Sequence, residues 1–102
     1  MTTEQKIQYI ADHYGYEPQS RQLVEELSEL IQAVCKHNRA YGELKIYTKE
    51  SCDEKEAIIE EMADVIIMMC QIQHILGIGN LDLDYKIERK LDRQIERIRN
   101  EI

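Results

Sequence analysis

Phenylalanine and tryptophan are absent from this chain of 102 residues, proline occurs once, as Pro18, and glycine only four times. Glu, Ile, Leu, Lys, Arg and Gln abound instead, and that mixture reads as all-α. Cysteine is scarce too. Cys35, Cys52 and Cys70 are odd in number, isolated and without CxxC spacing, which suggests neither a disulfide framework nor a zinc site and fits a reduced cytosolic setting. The longest apolar run is far short of a membrane span, and the first residues lack a basic region followed by an apolar core. A soluble, cytoplasmic protein is therefore expected. Basic residues are outnumbered: 13 Lys and Arg stand against 20 Asp and Glu, a net charge of -7. Phosphate backbones and anionic membrane surfaces reward clustered Lys and Arg, so neither nucleic acid nor membrane is expected as a partner. A phosphate-bearing ligand would need a cation to bridge it to so acidic a protein.

Residues 1–102 read as one small domain. Thr2 with Gln5 forms a capping box, followed by the helical face Ile7, Ile10, Ala11 and Tyr14, which ends near Gly15. Pro18 suits the opening turn of a second helix running to about Tyr41, with Gly42 as its cap. Gly42 to Lys49 lacks periodicity and is expected to be a loop near the site. Ser51 with Glu54 is a second capping box, opening a third helix to Gly77. Apolar residues cover nearly its whole circumference between Ala63 and Cys70, and a helix buried all round in so small a domain calls for another subunit. After a turn over Ile78 to Leu81, Asp82 or Asp84 caps a last helix through about Arg99. Its stripe Leu83, Ile87, Leu91, Ile95 and Ile98 is bordered by six of the chain's 13 basic residues. A solvated face laced with ion pairs accounts for most of these. Lys90 and Arg93 are the candidates to turn inward and hold phosphate oxygens.

The chemistry is concentrated in two short runs, Glu25-Glu26-Leu27-Ser28-Glu29 and Glu60-Glu61-Met62-Ala63-Asp64. On a helix, Glu26 and Glu29 lie roughly 60° apart around the axis, and so do Glu61 and Asp64. Each pair borders an apolar stripe: Leu23, Leu27, Leu30 and Val34 in the first helix, and Ile58, Met62, Val65, Met69 and Leu76 in the third. Beside them run Gln22, Glu26, Glu29 and Ala33, and Ala57, Glu61, Asp64, Met68 and Gln71. A single ExxE or ExxD in an acidic chain is weak, because glutamate favours helices and solvated acidic faces are common. The pair says more. Asp64 lies in so apolar a run that a solvated face is not expected, and an acid there needs a partner or a cation. Packed antiparallel, the two helices would bring four carboxylates together, and the repulsion calls for protons or a divalent ion.

Carboxylates without histidine at helical spacing favour a hard cation, Mg²⁺ or Mn²⁺, over zinc or iron. His13, His37 and His74 lie outside the motifs and read as surface or packing residues. A bound Mg²⁺ of this kind takes up substrate phosphates, and no nucleophilic triad or glycine-rich phosphate loop competes for the role. Metal-assisted phosphoanhydride hydrolysis is the chemistry these residues allow.

The run Leu23-Val-Glu-Glu-Leu-Ser-Glu-Leu-Ile-Gln-Ala33, followed by Glu60-Glu-Met-Ala-Asp-Val65, resembles the EExxE and ExxD motifs of the MazG-like all-α nucleoside triphosphate pyrophosphohydrolases. The resemblance spans about Gln19 to Arg97 and implies a four-helix bundle completed by homo-oligomerisation, as a homodimer or homotetramer. It implies Mg²⁺-dependent cleavage of an NTP or dNTP to the monophosphate and pyrophosphate, in nucleotide-pool housecleaning. Glu26, Glu29, Glu61 and Asp64 would then be metal ligands, with Glu29 and Asp64 also catalytic. Glu25 would be a catalytic acid orienting water or a second ion, and Lys90 and Arg93 phosphate contacts. Tyr41, Tyr47 or Tyr85 would have to stack a base. The reading from a different class is a non-catalytic, homo-oligomeric helical interaction module whose acids form a solvated face.

Overall fold

A computed structural model describes residues 1–44 and 53–101, with side chains for 1–39 and 55–101. Four α-helices follow one another, α1 (Thr3–Tyr14), α2 (Tyr16–Leu44), α3 (Asp53–Ile75) and α4 (Asn80–Arg99), and no strand occurs among the described residues. The all-α class holds.

The expected Thr2–Gln5 capping box opens α1: the Gln5 amide donates to Thr2 Oγ1, and the Thr2 amide donates to Gln5 Oε1. Gly15 alone joins α1 to α2. Its φ of 81° is a conformation that L side chains rarely adopt, and it ends α1 and opens α2 within one residue. The second helix passes through Gly42 to Leu44, so Gly42 does not cap it. Residues 45–49, the Ser51–Glu54 capping box, Cys52 and the side chains of Tyr41 and Tyr47 lie outside the described residues.

Helices α2 and α3 pack along their length, and α1 lies across α3 with a smaller contact on α2. Their pairing is antiparallel. Gln19 meets Gln71, and Glu26 and Glu29 meet Glu61, so numbers fall on one helix as they rise on the other. Among the described residues Ala11, Val65 and Met68 are the buried apolar ones, joined by the buried pair Gln19 and Gln71. Gln19 Nε2 donates to Gln71 Oε1, so the two amides pair with each other inside the interface. His74 Nε2 lies 2.8 Å from Asp12 Oδ1 and ties α1 to α3.

Both expected apolar stripes are displaced. Val65 and half-buried Ile58 keep their places in α3, but Met62, Met69 and Leu76 are exposed while Met68 and Gln71 are buried. Among the described side chains of α2 the covered positions are Gln19, Ser20, Gln22, Leu23, Glu26, Leu30, Ala33 and His37, while Leu27 and Val34 are exposed. The contact line runs between the apolar stripe and its polar neighbour. Periodicity finds the mean apolar direction of a helix, and here that direction averages two faces, one of which has no partner within the chain.

A Schellman turn ends α3: the Gly77 amide donates to the His74 carbonyl and the Ile78 amide to the Gln73 carbonyl, with Gly77 at φ 65°. Gln73 Nε2 then bonds the Ile78 carbonyl and Asn80 Oδ1. The last helix begins with Gly79 as N-cap, not Asp82 or Asp84. It packs its length against none of the other three described helices, and none of its residues is buried. The four-helix bundle is thus not closed within one chain.

Candidate functional site

The antiparallel register of α2 and α3 carries Glu26 and Glu29 to the level of Glu61. One carboxylate oxygen from each lies within 4.8 Å of the others. Three of the four expected ligands are therefore brought together by two helices far apart in sequence. Glu26 and Glu61 are half-buried at the helix contact, and Glu29 is exposed at its edge.

This group is electrostatically loaded. The charge of Glu26 is the largest influence on Glu29, and with the nearby charge of Glu61 it raises the Glu29 carboxyl above its ordinary range. Glu26 Oε1 accepts a hydrogen bond from Gln22 Nε2 at 2.8 Å, one turn back on α2. Glu26 Oε2 and Glu61 Oε2 are shielded from water and have no hydrogen-bond partner. An ionised oxygen in that position is costly unless a proton or a cation meets it. All three donors are hard oxygen ligands, which suits Mg²⁺ or Mn²⁺ and gives zinc or iron no imidazole or thiolate.

Asp64 and Glu25 stand outside the group of three, and both are exposed. The expectation that Asp64 cannot face water is not met: it is exposed, and although its neighbour Val65 is buried, much of the apolar run around it, Met62, Ile66 and Ile67, is itself uncovered in one chain. In projection, Glu25, Glu29 and Asp64 nevertheless point to the same side of the hairpin. Lys90 and Arg93 do not turn inward. They sit exposed on α4 beside Gln94 and Arg97, and α4 does not approach the acids on α2 and α3.

Comparison with family models, with curated proteins and with solved structures gives no match. The side chains themselves must carry the reading. Gln22 is the contributor that motif reasoning passes over. It stands on the polar stripe beside the core, four residues before Glu26, and that spacing is the signal for an amide able to hold a carboxylate. A cavity of about 590 Å³ lies elsewhere, between α1, the end of α3 and the turn into α4, where Ile7, Cys70, His74 and Asn80 line it. No described helix is long and apolar enough to cross a membrane.

Proposed function

We propose that this chain is a Mg²⁺-dependent nucleoside triphosphate pyrophosphohydrolase whose metal is held by Glu26, Glu29 and Glu61. The observations that carry this reading are the buried, unpartnered oxygens Glu26 Oε2 and Glu61 Oε2, and the approach of one carboxylate oxygen each from Glu26, Glu29 and Glu61 to within 4.8 Å of one another. A hard dication, when bound, supplies charge neutralisation and Lewis-acid stabilisation of a transferring phosphoryl group.

Each of the chain's own residues then has a distinct task. Gln22 fixes one oxygen of Glu26 and leaves the other for a cation. Glu29 bridges the covered part of the group and solvent. Glu25 and Asp64, exposed on the same side, are placed to hold and orient a water near the phosphates. Lys90 and Arg93 have no task at this site within a single chain.

The test is pyrophosphate release from a panel of standard and modified NTPs and dNTPs with Mg²⁺ or Mn²⁺. The expected products are a nucleoside monophosphate and pyrophosphate. Glu61→Gln should lower kcat/KM at least about a hundredfold if that ligand contributes ~3 kcal/mol to the transition state. Full turnover in that variant would remove it from the site. Absence of both turnover and a metal effect on melting would favour the helical interaction module, which the uncovered apolar faces also suit.

A further inference from the structure

The cavity at the end of α3 is separate from the acids. Cys70, where its lining on α3 begins, is nine residues beyond Glu61, roughly 13 Å along the helix. Three elements supply its walls: the first two turns of α1, the last two turns of α3, and the turn into α4. Each brings an apolar side chain, Ile7, Cys70 and Ile78, on which an apolar body can rest. The volume, about 590 Å³, falls within the ~300–1,000 Å³ of small-molecule sites.

Its polar edge is set by two amides. Gln73 Nε2 gives one hydrogen to the Ile78 carbonyl at 3.2 Å and the other to Asn80 Oδ1 at 2.6 Å. Both amides are thereby fixed in rotation, and the Schellman turn between them fixes their backbones. Two atoms are left over: Gln73 Oε1, an acceptor, and Asn80 Nδ2, a donor, neither of which has a partner among the described residues. They belong to amides already joined by a hydrogen bond, so one small ligand can reach both. The complementary edge is an N–H beside a C=O on the same side of one amide. Open-chain secondary amides are trans and hold these groups on opposite sides, whereas a ring forces them together. A lactam therefore fits this edge.

Charge narrows the class further. Glu4 lines the cavity, Asp12 holds His74 at its wall, and a carboxylate oxygen of Asp82 lies beside Gly79. Lys and Arg are absent from the lining among the described residues. An anionic ligand would meet repulsion with no counter-charge.

We propose that this cavity binds an uncharged aromatic lactam, whose N–H donates to Gln73 Oε1, whose carbonyl accepts from Asn80 Nδ2 and whose ring rests on Ile7, Cys70 and Ile78. A stiff ring has no torsions to lose on binding, and the two receiving atoms are already held in place. The inference stands apart from the metal reading, because no acid of that group lines the cavity.

Proton–nitrogen NMR spectra of the full chain in EDTA, titrated with 2-quinolone and with the smaller 2-pyridone, test it. Saturable shifts are expected at the backbone amides of Ile7 and Ile78 and at the side-chain amides of Gln73 and Asn80, with Glu26, Glu29 and Glu61 unmoved. N-methyl-2-quinolone, which lacks the donor, should bind about tenfold or more weakly, since it leaves Gln73 Oε1 unpaired. Quinoline-2-carboxylate, an anion, should not bind. Asn80→Asp keeps the acceptor that Gln73 uses, removes the donor and suits the first turn of a helix, so it should weaken 2-quinolone about tenfold with helical circular dichroism unchanged. Absence of saturable shifts with both lactams at millimolar concentration overturns the proposal. So does equal affinity for the N-methylated ring or the carboxylate, undiminished binding by Asn80→Asp, or shifts centred on the open apolar face of α2 and α3. The N-methyl comparison uses the unaltered chain and decides the matter even if the variant fails to fold.

Discussion

Gln22 Nε2 donates to Glu26 Oε1 at 2.8 Å, and the other oxygen of Glu26 is buried without a partner. The amide thus fixes the carboxylate's rotation while leaving half of it unsatisfied, which is how a supporting side chain orients a metal ligand. Replacing Gln22 with Leu keeps the bulk and removes the donor. Mg²⁺ affinity, measured by titration calorimetry, should fall about tenfold or more, the usual range for loss of such a partner. Unchanged affinity would show that Glu26 needs no orientation.

Glu29 gives a pH dependence whose sign follows from its neighbours. The carboxylates of Glu26 and Glu61 raise its proton affinity in the folded chain above that in the unfolded chain. The folded state therefore binds the extra proton, and that stabilisation is present at low pH and lost as pH rises through the raised value. Melts in EDTA should show Glu29→Gln gaining stability relative to wild type as pH climbs from 4 to 7. With millimolar Mg²⁺ the wild type should recover at pH 7, since a ligand that binds only the folded state stabilises it, and the variant should recover less. Parallel melting curves across this range, with and without metal, would contradict both statements.

The buried amide pair at the α2–α3 contact should behave asymmetrically. Gln71→Ala strands the Gln19 amide and should cost about 1–3 kcal/mol, whereas converting both Gln19 and Gln71 to Leu should be close to neutral. In urea the single variant's midpoint should move and the double variant's should stay near wild type. A double variant as unstable as the single would mean that packing, not desolvation, governs this position.

Gly77 should tolerate no side chain for a backbone reason alone. A Cβ there meets nothing within 4 Å, but φ is 65°. Gly77→Ala should cost roughly 1–2 kcal/mol from left-handed strain, a fall in Tm of about 4–8 °C per kcal/mol for a domain of this size.

The amino-acid sequence by itself determined the helices and their order. Scarce glycine and proline, the Thr2–Gln5 box and the 3.6-residue periods are local, and local signals survive without a tertiary partner. It also marked Glu26, Glu29, Glu61 and Asp64 as acids that border an apolar stripe, without deciding which of them meet. Tertiary structure alone decided the rest: that the contact line passes through Gln19, Glu26, Val65, Met68 and Gln71, that Asp64 stays outside the group of three, and that Lys90 and Arg93 lie on α4, away from the acids. The physical reason is that periodicity reports how apolar each face is, not which neighbour covers it. Two apolar faces on one helix give a single averaged stripe in sequence, and only packing separates the face used within the chain from the one left open.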